Sequence, residues 1–203
     1  EILENYPPQV VNILMNIIGT HDTERALTVL AGKPLCGRSR LWQSKTRLSK
    51  ERRSLGLTLM KLASAMQFTL PGVPCIYYGD EAGMEGYRDP FNRFCYPWGS
   101  EDKKLIEWYQ KLGQIRKNCS CLKEGMFIPV TAENNCIAYI RKDENDSLLC
   151  AFNSGSQIHE ISVQQKWTKA ENLIGNLPNS GNKIKLVPLQ CCILKLSKKE
   201  ISD

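Results

Sequence analysis

The sequence predicts an α/β segment followed by a small all-β domain. Two short apolar runs each end in polar residues and are each followed by a helix-period stretch, and evenly spaced short strands take over after residue 119.

The opening reads as a short helix: Pro7 and Pro8 suit a helix start, and Val10, Val11, Leu14 and Met15 give it an apolar face. Met15-Asn16-Ile17-Ile18-Gly19 follows as a strand expected to be buried on both faces, being apolar and β-branched without alternation. It stops abruptly at Thr20-His21-Asp22-Thr23, and polar residues just past an apolar strand are where α/β folds keep their chemistry. Lys33 to Arg47 is polar and reads as a loop. A helix is expected from Ser49 to Phe68, with Leu55, Leu59, Leu62, Ala63 and Met66 at helical spacing.

Leu70-Pro71-Gly72-Val73-Pro74 reads as a rigid turn, and Cys75-Ile76-Tyr77-Tyr78 as a second buried strand that ends in Gly79-Asp80-Glu81. Gly83 to Gly99, rich in Gly, Pro and Arg, is expected to be an irregular loop. A last helix is expected from Glu101 to Lys117, with Leu105, Trp108, Tyr109, Leu112 and Ile115 on one face and Trp108 in the core. Two strand–helix units neither close a sheet nor cover its edges. Either they are part of a larger barrel or the edges pair with something else.

After Cys119 helical spacing disappears. Strands are expected at Cys136–Arg141, Leu148–Asn153, His159–Ser162, Lys183–Val187 and Cys192–Leu196. Turn signals separate them: Glu133-Asn134-Asn135, Asp143 to Asp146, Asn153-Ser154-Gly155 and Pro178-Asn179-Ser180-Gly181. The pattern predicts an antiparallel sandwich over 119–203, with the domain boundary at residue 118 or 119.

Composition excludes several classes. Residues 1–119 carry 17 basic and 12 acidic side chains and the remainder 10 and 9, so the net charge of +6 is spread thinly. A nucleic-acid groove needs a concentrated basic stripe with stacking aromatics, and neither is present. No apolar run reaches the length of a membrane span. The nine cysteines are odd in number and lack metal-ligand spacing, so they read as reduced thiols used as small core hydrophobes. That points to a reducing compartment and a cytoplasmic location.

His21-Asp22 is the strongest candidate for chemistry. By itself the dipeptide says little, because Asp22 could equally cap a helix starting at Thr23. Its surroundings are more specific. Asn16-Ile17-Ile18-Gly19-Thr20-His21-Asp22-Thr23-Glu24-Arg25 resembles the region around the seventh barrel strand of the α-amylase family of glycoside hydrolases. Leu70-Pro71-Gly72-Val73-Pro74-Cys75-Ile76-Tyr77-Tyr78-Gly79-Asp80-Glu81 resembles that family's eighth-strand motif, in the right order and with one helix between. Gly83-Met84-Glu85-Gly86, Arg88-Asp89-Pro90, Asn92-Arg93 and Tyr96-Pro97-Trp98 are similar to a loop of its neopullulanase, cyclomaltodextrinase and maltogenic amylase branch. The β segment, with Leu148–Asn153, Asn172-Leu173-Ile174-Gly175 and Val187-Pro188, resembles these enzymes' C-terminal domain.

The resemblance implies that residues 1–118 are the last two strand–helix units of a (β/α)8 TIM barrel and 119–203 the appended antiparallel β-sandwich. It implies a retaining hydrolase of α-1,4 links, alone or together with α-1,6 links, in maltodextrins, cyclomaltodextrins or pullulan, working through two carboxyl groups roughly 5 Å apart. A third carboxylate grips hydroxyls of the sugar whose bond breaks; Asp22 matches it, and His21 matches its hydrogen-bonding neighbour. Nucleophile and general acid belong to earlier barrel strands, so this chain alone is expected to be inactive.

Asp89 and Arg93 are candidate substrate contacts, with a loop-shaping charge pair as the alternative. Asp80 and Glu81 are expected to brace the rim, and Arg25 to support the loop carrying Asp22. Trp98, Tyr96 and, more weakly, Trp42 are candidate platforms for sugar rings, with packing onto the barrel as the other reading. His159 has no partner motif and reads as structural or exposed.

No metal site and no cofactor are expected in these residues. Calcium sites of the family mostly lie in segments outside the chain, and in this branch a domain N-terminal to the barrel often contributes to a homodimer. Two rivals remain: a non-catalytic relative that serves as a partner protein, and a glycosyl-transferring relative.

Overall fold

The computed structural model describes residues 2–175 and 182–196. The expected turn at Pro178-Asn179-Ser180-Gly181 lies outside them. In chain order the elements are α1 (Ile2–Asn5), α2 (Pro8–Val11), β1 (Met15–Ile17), α3 (Ala26–Ala31), α4 (Arg40–Lys45), α5 (Lys50–Thr69), β2 (Val73–Cys75), α6 (Lys103–Asn118) and α7 (Cys121–Glu124). The strands β3 (Met126–Glu133), β4 (Cys136–Lys142), β5 (Ser147–Asn153) and β6 (His159–Ser162) follow. A short 3-10 turn (Gln165–Lys169) precedes β7 (Glu171–Ile174), β8 (Lys183–Leu186) and β9 (Gln190–Leu196).

The chain forms two compact units, one of Met15–Gln67 and Pro74–Leu112, the other of Glu1–Leu14, Phe68–Val73 and Gly113–Asp203. In the first, β1 and β2 are hydrogen-bonded neighbours. Both lie open rather than buried on both faces: Met15 is 64% and Ile17 45% exposed, and past β2 Ile76 is 41% exposed. Two strands leave these faces for neighbouring strands of a larger sheet to cover. The second strand also begins earlier than expected, at Val73, since the turn residues Val73-Pro74 are already extended.

Helix α5 starts where the Ser49 hydroxyl accepts the Arg52 N–H at 3.3 Å. Its expected apolar stripe is not its most covered face. Gly56, Met60, Ser64 and Gln67 are buried, whereas Leu55 is 40% exposed. The covered face needs small or polar groups. A Cβ at Gly56 would lie 2.8 Å from Leu27 Cδ1 on α3, and Gln67 Nε2 donates to the carbonyls of Asn16 and Cys75, both at 2.8 Å, tying α5 to both strands. On α6, whose first turn is capped by Asp102 Oδ1 on the Leu105 N–H at 3.1 Å, Trp108 is half-buried rather than core. Its indole N–H donates to Ser64 Oγ at 3.0 Å, which favours a site at the rim of the packing. The stretch read as a loop from Lys33 to Arg47 contains α4, nucleated by the Ser39 hydroxyl accepting the Trp42 N–H at 3.2 Å.

The second unit carries a five-stranded antiparallel sheet in the order β3-β4-β5-β9-β7 and a two-stranded antiparallel sheet, β6-β8. Ala138, Leu149, Ala151, Cys192 and Leu194 from the larger sheet meet Ile161, Ile184 and Leu186 from the smaller in one core, so the two layers form a small sandwich. Strand β5 is buried along its whole length. Fully buried Arg141 donates to the Thr69 carbonyl at 2.9 Å and the Gly125 carbonyl at 3.0 Å. The β3–β4 hairpin turns on Asn134 and Asn135 at φ 51° and 63°, values that Asn tolerates. Six of the nine cysteines are buried thiols, while Cys75 is partly covered and Cys36 and Cys95 are exposed. No helix among the described residues is long and apolar enough to cross a membrane.

Candidate functional site

Past Gly19 the chain turns polar, and residues 20–23 bond to their own hydroxyls. The Thr20 hydroxyl accepts the Asp22 N–H at 3.2 Å and lies 3.3 Å from the Thr23 hydroxyl, a local alternative to helix that Thr offers readily. The turn leaves His21 and Asp22 65% and 72% exposed, with His21 Nε2 3.2 Å from Asp22 Oδ2.

Asp89 and Arg93 arrive from the loop that follows β2. Arg93 links the group: Nη2 is 3.5 Å from Asp22 Oδ1, Nε is 3.1 Å from Asp89 Oδ1, and Nε donates to the His21 carbonyl at 3.1 Å. The four candidates named from the sequence therefore form one contiguous cluster, a guanidinium between two carboxylates with an imidazole against one of them. Ion pairs this exposed contribute about 0–1 kcal/mol to stability, so stability alone does not account for them. Their oxygens and N–H groups face solvent, where hydroxyls can reach them.

Beneath the cluster is a polar layer with almost no solvent contact. Asn92 is fully buried, and its Nδ2 donates to the carbonyls of His21 and Thr23, both at 2.7 Å. The Asn92 carbonyl accepts from Arg25 Nε at 2.7 Å. Arg25, itself buried, donates through Nη1 to the Tyr78 carbonyl, lies 3.4 Å from Asp80 Oδ1, and stacks 4.2 Å from the Tyr77 ring centroid. Burial pushes the Asp80 carboxyl up to about 6, against the pull of the Arg25 guanidinium and aided by nearby Glu81. Gly19 makes room for it, since a Cβ there would lie 2.2 Å from Asp80 Oδ2. Glu81 accepts the Gly79 N–H at 2.9 Å, where the chain turns at φ 86°.

Sequence reasoning named Arg25 and Asp80 as supports but did not single out Asn92. An amide in a Gly-, Pro- and Arg-rich loop carries no periodic signal of burial. Among the aromatics, Trp98 is 83% exposed with its ring 4.5 Å from that of Tyr96. Trp42 is half-buried and packs 4.9 Å from the buried Tyr87 ring. His159 is half-buried on β6. Among the described residues no three His, Cys, Asp or Glu side chains converge as a metal-binding group.

Comparison with known proteins shows what the chain is similar to. Residues 1–104 match the family model described as alpha amylase, catalytic domain. A cyclomaltodextrinase of Thermoanaerobacter pseudethanolicus is 33% identical over 198 residues, covering 96% of this chain and 30% of the relative. An amylopullulanase of Thermoanaerobacter thermohydrosulfuricus is 37% identical over 141 residues, covering 70% of this chain and 9% of the relative. Among solved structures, a debranching enzyme from Nostoc punctiforme superposes with a TM-score of 0.75 at 22% identity, over 95% of this chain and 37% of that one, which speaks to the fold alone. The chain spans no more than about a third of the length of these curated relatives.

Proposed function

Because this chain belongs to the α-amylase family, with strand–helix units of its (β/α)8 barrel and an antiparallel β domain, we propose that it contributes Asp22 as the transition-state-stabilising carboxylate of a retaining α-glucan hydrolase. In this reading residues 1–118 are barrel and 119–203 the appended domain. The observation that carries it is the convergence of His21, Asp22, Asp89 and Arg93 in one exposed cluster.

The chemistry follows from what those groups can do. Retaining cleavage passes through an oxocarbenium-like transition state in which hydrogen bonds to the sugar's 2-hydroxyl strengthen. A carboxylate that accepts from sugar hydroxyls at that stage lowers the barrier more than it tightens ground-state binding. Asp22 has that role, His21 donates to the same hydroxyls, and Arg93 with Asp89 holds a neighbouring part of the sugar chain. Nucleophile and general acid come from segments outside these residues. Substrates are maltodextrins, cyclomaltodextrins or pullulan, a range supported by the names of the cyclomaltodextrinase and amylopullulanase relatives.

Incubating the purified 203-residue chain, at confirmed intact mass, with β-cyclomaltodextrin and pullulan tests the division of labour. No release of reducing sugar is expected. Clear turnover would place the whole catalytic set within these residues and contradict the proposal.

A further inference from the structure

Asp22 presents a difficulty that its own contacts do not resolve. A group that stabilises a transition state must be held to about 0.5 Å, yet Asp22 is 72% exposed and its side-chain neighbours, His21 and Arg93, are themselves 65% and 44% exposed. Among the described residues no packing fixes it. What is fixed is the backbone around it: the carbonyls just before and just after Asp22, those of His21 and Thr23, are both held at 2.7 Å by one buried amide.

We propose that Asn92 is a positioning residue for Asp22, its side-chain amide clamping the flanking carbonyls and locking them to the Arg25–Asp80 pair below. The inference rests on the reading of Asp22 given above. Three features support a clamp rather than an incidental contact. The amide has one permitted orientation, because a flip would aim Oδ1 at two carbonyl oxygens; Oδ1 instead has no hydrogen-bond partner among the described residues. The Asn92 backbone is held in turn, its carbonyl receiving Arg25 Nε at 2.7 Å. And the loop is drawn tight at Gly86, where a Cβ would lie 2.1 Å from the Phe91 carbonyl oxygen, while the Gly86 carbonyl accepts the Arg25 N–H at 2.9 Å. Bonds in a site this dry are stronger than in water and costly to lose.

Asn92→Asp is the informative variant, since it keeps the shape and removes both donors. Ionised, the new carboxylate faces two carbonyl oxygens; protonated, it can donate to one. The titratable and charged groups around position 92 are Arg25, Arg93 with its partner Asp89, His21 and Asp22, with Asp80 behind Arg25 and Glu81 beside Asp80. Two readouts decide. In nuclear magnetic resonance spectra of the 203-residue chain, the Asn92 side-chain amide protons are expected to exchange slowly with solvent. In Asn92→Asp the amide signals of His21, Asp22 and Thr23 are expected to move at neutral pH and to return toward their original positions on acidification.

In the complete enzyme, Asn92→Asp is expected to lower kcat by about tenfold to a hundredfold near pH 7, as misplacement of a reacting group does, with KM nearly unchanged and the gap narrowing toward acid. Fast exchange of the amide protons, or signals at 21–23 that ignore the substitution, would overturn the clamp. A loss shared equally by KM, or one constant across pH, would reduce Asn92 to a structural residue. Failure of the functional reading is separate, because it shows as an Asp22→Asn enzyme that keeps its rate while the clamp signals stay intact.

Discussion

Arg25 and Asp80 form an ion pair at 3.4 Å in which both side chains are almost wholly removed from solvent. The pair joins the segment after β1 to the segment after β2, and Arg25 also holds the carbonyl of Asn92, the residue beneath the exposed cluster. Burying two charges is costly, and removing one partner leaves the other uncompensated. Arg25→Met is therefore expected to destabilise the chain by roughly 3–5 kcal/mol, read from urea unfolding. Arg25→Met with Asp80→Leu is expected to recover much of that. A double variant no more stable than Arg25→Met would mean that the guanidinium matters through Tyr78 and Asn92 alone.

The same pair sets a pH dependence. Burial raises the Asp80 carboxyl from an ordinary 3.8 to about 6, with Arg25 opposing and Glu81 adding to the rise. Between those values the folded chain holds a proton that the unfolded chain has released, so the contribution of this group to stability declines as pH rises from about 4 to about 6. Melting curves of the wild type and Asp80→Asn across pH 4 to 7 check the sign. The stability of the wild type relative to the variant is expected to fall with pH through that window, and parallel curves would contradict it.

Gly19 lies under Asp80 with no space for a methyl group, the added Cβ falling 2.2 Å from Oδ2. Gly19→Ala is expected to cost about 1–3 kcal/mol, the usual penalty for overpacking. Displacing Asp80 also disturbs Arg25, so the variant is expected to weaken saccharide binding by the complete enzyme as well as its fold. Chemical denaturation and calorimetric titration with a maltooligosaccharide measure the two effects.

Arg93 gives the opposite pattern. It is half-exposed and its ion pairs with Asp22 and Asp89 are open to water, so Arg93→Ala is expected to change stability by less than about 1 kcal/mol. It removes the cation between the two carboxylates, and in the complete enzyme KM is expected to rise several-fold. A large drop in melting temperature with KM unchanged would make Arg93 a brace for the loop rather than a contact for substrate.

Much of this was legible in the residues, and the gaps have physical causes. Helix α5 was expected at 49–68 and runs Lys50–Thr69, and β6 was expected and found at His159–Ser162, because sustained periodicity and clear turn signals mark such elements. Strand β3 leaves little trace in the sequence. Pro129 interrupts it, a bulge between Pro129 and Thr131 breaks its alternation, and its mostly exposed face carries little pattern. Helix α4 was hidden because a short polar helix held by a Ser39 cap has almost no apolar stripe to read. The faces of β1 are open among the described residues, since an apolar run shows what a strand can bury, not which strand buries it.

The site divides in the same way. His21, Asp22, Asp89 and Arg93 could be named because they sit in recognisable motifs at strand ends and in the following loop. That they touch is a tertiary fact that spacing does not contain. The buried Asn92 clamp was invisible for a related reason: a polar residue in a loop looks the same in sequence whether it faces water or two carbonyls.

The central claim is that Asp22 acts on the transition state. Its most direct test is the ratio of kcat/KM for Asp22→Asn and wild type in the complete enzyme, with β-cyclomaltodextrin as substrate. The account predicts a loss of about 10²–10³-fold, on the scale of removing one preorganised stabilising group, carried mainly by kcat. A variant that keeps most of its rate would remove Asp22 from the reaction and contradict the account.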